Sequence, residues 1–225
     1  KFQRTFVILN DTILPQHVVA VGFYGDSLEI NAASKGGWDI FGPERTVTKS
    51  KGNVLYEIDG HPALDLYKEY LGAKASELPA SGLLFPLQIS PQDNPDKKLV
   101  RTILGIDEQS KSLIFAGDLP EGWVAQLMRA NFERVIDGAG NACQSAHENL
   151  QNANDSELVI TVSCVGRRLV LGERTLEELE AVASDLPKNA SMIGFYSYGE
   201  LSPLMTGSPS ELHNQSIVDL WISYY

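Results

Sequence analysis

Three features of the 225-residue sequence predict an α+β fold, with mostly antiparallel or mixed β-sheets and about three helices packed on them. Short apolar runs recur along the chain, each bounded by Gly, Asn, Asp or Pro. Several of these runs are neighbours in sequence with only a turn between them. Only three segments carry a helical period, too few to alternate with the strands, which excludes a repeated βαβ pattern.

The strands of residues 1–58 come first. Phe6 to Leu9, Val18 to Tyr24 and Leu28 to Ala32 are apolar runs closed by Asn10-Asp11, Gly25-Asp26 and Gly36-Gly37. Thr46-Val47-Thr48 and Val54-Leu55-Tyr56 flank Ser50-Lys51-Gly52-Asn53, a hairpin turn signal. Pro62 then suits the first turn of a helix, where its missing N–H costs nothing. Leu64, Tyr67 and Leu71 share one face of that helix, and Gly72 ends it. Residues 73–98 read as loop around a short strand at Leu83–Ile89. Val100–Ile106 and Ser112–Ala116 form a hairpin across Asp107–Lys111. The longest helix is expected over 123–151, with Phe132, Ile136, Ala139, Cys143, Ala146 and Leu150 as its apolar stripe. Leu158–Val165 reads as a central strand. Thr175-Leu176-Glu177-Glu178 is a capping box opening a helix that stops before Pro187. Met192–Tyr198 and Ile217–Tyr225 supply the last strands.

Composition narrows the function. A net charge of −11, with 18 scattered Lys and Arg, excludes a nucleic-acid partner, which needs clustered cations. No run approaches the roughly 20 apolar residues of a membrane span, so no membrane partner is expected. Cys143 and Cys164 lack metal-site spacing and read as two thiols of a cytoplasmic protein. The chain begins at Lys1 and runs straight into a strand, the pattern of a fragment whose N-terminal part lies elsewhere. No Gly-x-Ser-x-Gly elbow, P-loop or dinucleotide fingerprint is present, and no enzyme activity is expected.

Five segments, in order, resemble the FIST domains, a bacterial sensory module found alone or fused to signalling output domains. Gly36-Gly37-Trp38-Asp39-Ile40-Phe41-Gly42-Pro43 is similar to the end of the N-terminal FIST domain, and residues 56–67 to the junction that follows. Residues 116–122 with 126–131 are similar to the middle of the C-terminal FIST domain, and Ser163 to Gly172 continue towards its end. That end is residues 194–204 followed by Glu211-Leu212-His213-Asn214-Gln215-Ser216. The resemblance divides the chain into 1–58, the C-terminal part of the N-terminal domain, and 59–225, the C-terminal domain. It implies a non-catalytic small-ligand sensor, with amino acids as the ligand class. It also implies an output partner such as a histidine kinase or a cyclic-dinucleotide enzyme.

The candidate ligand-binding residues are Arg167, Glu200, Tyr198, Asn214, Trp38 and His213. Arg167 follows a buried strand, and an arginine fork suits a carboxylate, as a carboxylate such as Glu200 suits an ammonium group. The bland alternative is an ion pair between the two. On the ligand-binding reading, charge reversal at Arg167 abolishes carboxylate binding in a folded protein. Tyr198 extends an alternating aromatic strand, and Trp38 sits between Gly37 and Asp39 in a loop-like context. His213 and Asn214 stand at a strand entrance, where satisfying turn backbone is the ordinary role. Two other readings use other features. His147, one turn after Cys143 at the edge of the helical stripe, is placed as an axial haem ligand would be, and some proteins with FIST domains are haem-based nitric-oxide sensors. The acidic surface alone could instead serve protein interaction without a small ligand.

Overall fold

A computed structural model describes residues 4–148, 150, 157–203 and 209–224. The chain begins with β1 (Phe6–Leu9), β2 (Thr12–Pro15), β3 (Leu28–Lys35), β4 (Trp38–Ile40), β5 (Arg45–Lys51), β6 (Val54–Ile58) and β7 (His61–Pro62). Helix α1 (Ala63–Leu71) follows, then two 3-10 turns at Gly72–Glu77 and Ala80–Leu83. Next come β8 (Leu87–Ser90), β9 (Leu99–Arg101), β10 (Ile103–Asp107), β11 (Ser112–Phe115), β12 (Val124–Ala130) and α2 (Phe132–Glu148). The chain continues with β13 (Glu157–Cys164), α3 (Val165–Leu171), α4 (Thr175–Ser184), β14 (Ser191–Ser197), β15 (Glu200–Pro203), β16 (Ser210–His213) and β17 (Ile217–Tyr224). This is an α+β fold whose sheets are antiparallel or mixed.

The larger sheet runs β10-β11-β6-β5-β12-β8-β9, with β4 on β12 and β7 on β6. Its two end strands, β9 and β10, are consecutive in the chain and separated by Thr102 alone, so the sheet must curl back on itself. The Val100–Ile106 run expected to be one strand is therefore two, turned at Thr102. Inside the curl lie Val47, Leu55, Ile89, Leu113, Phe115 and Leu127, and the apolar face of α1 (Leu64, Tyr67, Leu71) packs against them. Burying such side chains contributes about 1.5–3 kcal/mol each.

The second sheet has the order β14-β13-β17-β3. Its one parallel pair, β13 and β14, is joined through α3 and α4. Period-two alternation puts Val159, Ile217 and Trp221 on the face covered by α2 and α4. Ala139, Ala142, Cys143 and Ala146 of α2 meet that face, small residues that bring the helix close. The N-terminal segment belongs to both sheets, since β3 pairs with β17 and β5 and β6 sit inside the curled sheet.

Three local expectations need correction. Residues 124–130 form β12 rather than the start of the long helix, because they pair with β8 on one side and with β5 and β4 on the other. Asn131 starts α2 instead, its side-chain oxygen accepting from the Arg134 N–H as an N-cap does. Residues 17–25 form no strand, as Val18, Val21 and Tyr24 are exposed and find no pairing partner. Residues 165–171 form α3 where strand and loop were expected.

Contact between the β3–β4 link and α2 requires glycine. A Cβ on Gly37 would lie 2.3 Å from Val135 Cα, and one on Gly138 would lie 2.0 Å from the Gly36 carbonyl oxygen. Alanine in a helix interior ordinarily stabilises by about 1 kcal/mol over glycine. Here Gly138→Ala is expected to destabilise the protein by about 1–3 kcal/mol through overpacking against backbone. Urea unfolding checks the sign; a stabilised variant would mean that α2 does not press on the link.

Candidate functional site

Where the two sheets meet, three polar segments converge. Strand β13 ends at Cys164, and α3 begins at the next residue. The Cys164 backbone N–H donates to the Ser216 carbonyl at 3.0 Å, joining this end to the segment before β17. In that segment Asn214 accepts from the Thr102 N–H at 3.4 Å and donates to the His213 carbonyl at 3.0 Å. Gln215 takes a left-handed backbone (φ 61) and donates to the Leu83 carbonyl at 3.2 Å. A Cβ on Gly166 would stand 2.6 Å from Gln215 Oε1, so α3 approaches this closely only as glycine. Residues 214–216 thus tie the corner of the curled sheet to the second sheet.

A cavity of about 520 Å³ opens at this junction. One wall is Pro79, Ala80 and Leu83 from the turn after α1; another is the Thr102–Leu104 corner with Ala116. Opposite stand Cys164, Val165, Gly166 and Leu169, with Tyr198 and Asn214 closing the ring. The volume lies within the roughly 300–1,000 Å³ of small-molecule pockets. No Asp, Glu, Lys, Arg or His lines it among the described residues. Burial raises the Cys164 thiol above its ordinary range, and the nearby Glu200 carboxylate raises it further. Backbone N–H groups of Gln215, Gly166 and Arg167 oppose this without cancelling it. Cys164 is therefore a neutral thiol at pH 7.

Of the residues expected from the sequence, Tyr198 and Asn214 line the cavity; the others do not. Glu200 is buried behind Cys164, its oxygens receiving the Ser197 hydroxyl at 2.5 Å and the Ser216 hydroxyl at 3.0 Å. Burial raises its carboxyl above the ordinary range, and these hydroxyls offset part of that rise. His213 is buried with its Nε2 3.1 Å from the Ser202 carbonyl, and desolvation lowers its pKa. Trp38 is buried under the Arg167 guanidinium, 5.9 Å from ring centre to Cζ. His147 stacks on Trp221 with centroids 4.4 Å apart. Neither His147 nor His213 is among the described residues that line the cavity.

Arg167 is fully buried, and its ion-pair partner is Glu178, at 2.6 Å, rather than Glu200. Its other nitrogens donate to the Gly36 carbonyl at 3.1 Å and the Val135 carbonyl at 2.5 Å. Glu178 also accepts from Ser163 at 3.1 Å and from the Tyr196 hydroxyl at 3.3 Å. The carboxylate of the expected capping box therefore turns inward to the arginine. Nearby, Asp219 takes the Thr161 hydroxyl at 2.6 Å on one oxygen and has no partner on the other. Burial pushes its carboxyl up to about 7.

Thr102, Ala116 and Leu169 escaped sequence reasoning. Thr102 looks like the middle of one strand, and only the pairing of β9 and β10 with different neighbours reveals a corner.

Residues 63–203 match the FIST C domain and residues 1–61 match the FIST N domain. No curated protein and no solved structure matches the chain.

Two outcomes follow. Arg167→Met leaves Glu178 buried without a cation and is expected to cost about 3–5 kcal/mol, whereas adding Glu178→Leu restores most of it. An Arg167→Met protein as stable as the parent would show that the pair is not structural. For Asp219, the folded state keeps a proton that the unfolded chain releases above pH about 4. Stability is therefore expected to fall as pH rises from about 4 to about 7. Asp219→Asn should flatten that slope and be the more stable protein at pH 7.5; parallel urea curves across pH would exclude Asp219 as the cause.

Proposed function

Because the chain belongs to the FIST family of sensory domains in signal transduction, we propose that the 520 Å³ junction cavity is where it binds its small ligand. One observation carries this reading: the cavity is walled by segments of both sheets, so an occupant touches the curled sheet and α3 at once. A ligand that prefers one spacing of these walls shifts the population towards it. The shift reaches α2 and α4 through Arg167, which begins two residues after cavity-lining Val165. The signal then passes to an output partner such as a histidine kinase or a cyclic-dinucleotide enzyme. In this reading residues 1–58 close the N-terminal domain and 59–225 form the sensing domain. The function in this reading is binding, in keeping with the FIST family of sensory domains. No helix among the described residues is long and apolar enough to cross a membrane.

An amino-acid ligand would have to keep its ammonium and carboxylate groups at the mouth, because the lining offers them no opposite charge. Arg167 is committed to Glu178 and cannot serve as the carboxylate fork.

The test is a thermal-shift screen of amino acids, small carboxylates, neutral metabolites and hemin, against both the parent and Ala116→Leu, which fills the cavity. A true ligand at a hundredfold over its Kd stabilises the parent by about 2.7 kcal/mol and is expected to lose that effect in the variant. Hits that stabilise both proteins equally would place binding elsewhere.

A further inference from the structure

A pocket that reads a charged metabolite places an opposite charge in contact with it, and no charged side chain is among the described residues that line this cavity. Its walls are Ile103, Leu104, Val165, Leu169 and smaller apolar residues, with polar groups from Thr102, Cys164, Tyr198 and Asn214. The mouth is apolar as well: Leu104 and Leu169 line the cavity and are 44% and 62% exposed. The buried carboxyl Glu200 lies outside the lining and acts on the Cys164 thiol. Two buried guanidiniums flank the lining without joining it: Arg167 is paired with Glu178 and donates to two backbone carbonyls, and Arg101, next to Thr102, donates to the Asp118, Val100 and Leu212 carbonyls. An ion entering this space would lose water and find no opposite charge among the described lining residues. A neutral hydroxyl or carbonyl group needs only one donor or acceptor, and the Asn214 amide of the lining suits it.

We infer that the cavity selects an uncharged, mainly apolar small molecule carrying a single neutral polar head, such as an alcohol or ketone with a short alkyl chain. This rests on the junction cavity being the binding site. The exposed Leu104 and Leu169 side chains form the apolar rim along which the alkyl part enters. The absence of a lining charge sets the selectivity against carboxylates first and ammonium ions second.

Three probes of equal chain length test it: 1-octanol, octanoate and octylammonium, measured by calorimetry on the whole chain. Maleimide labelling of Cys164 locates the binding, with Cys143, buried under α2 in another core, as internal control. The expected result is 1-octanol binding about a hundredfold tighter than octanoate, with octylammonium between them, and 1-octanol slowing labelling of Cys164. Leu169→Glu places a carboxylate on the exposed rim without disturbing the core. It should raise octylammonium affinity and lower that of 1-octanol. Octanoate or octylammonium binding as tightly as 1-octanol, with Cys164 protected, would overturn the neutral-ligand inference and leave the binding site standing. Failure of all three to bind or to protect Cys164 would overturn both.

Discussion

A fully buried arginine holds this molecule together. Arg167, the third residue of α3, reaches to Glu178 on α4, to the Val135 carbonyl inside α2 and to the Gly36 carbonyl just after β3. Desolvating a guanidinium is costly, and only a full set of charge-assisted partners makes it tolerable. The arrangement is therefore nearly all-or-none. If α2, α4 or the β3–β4 link moves away, the remaining partners are left with an unmatched buried charge. Glycine at 37 and 138 is the steric counterpart of this constraint, since both positions let backbone touch backbone beside the arginine.

The cavity follows from how the curled sheet ends. Because β9 and β10 occupy opposite ends of the strand order yet are joined by one residue, Thr102 becomes a corner rather than a strand position. The corner backbone is satisfied by Asn214 and by Ala116, whose N–H donates to the Thr102 carbonyl at 2.9 Å. Packing is incomplete here because a curled sheet, a 3-10 turn and a short helix present surfaces of different shape. What would be a defect in a core is concave, apolar and open in this position. The same α3 that forms one wall carries Arg167, so wall position and the packing of three other elements are mechanically linked.

Much of this was legible in the sequence. Alternation and turn residues marked β5, β6, β11, β13, β14 and β17, and Pro62 and Gly72 bracketed α1 closely. Residues 194–204 with 211–216 stand out in the sequence because Gly, aromatic and polar residues crowd together there, and they supply Tyr198 and Asn214 to the cavity. Pairing was not legible. Val124–Ala130 carries no helix start signal, but its strand state depends on neighbours on both sides. Val18–Tyr24 has strand composition and no neighbour. The sequence leaves Arg167 open between a ligand fork and an ion pair with Glu200, and the structure pairs it instead with Glu178, which carries the local signature of a helix cap. Local motifs identify element boundaries; they do not reveal which buried charge a carboxylate turns towards.

The central claim is that an apolar, enterable cavity exists where the two sheets meet. Crystals pressurised with xenon test it without assuming a ligand, because apolar cavities in proteins take up the gas. The account predicts xenon density bounded by Ile103, Leu104, Val165 and Leu169. Side chains filling that space, or a xenon-treated crystal with no density there, would contradict it.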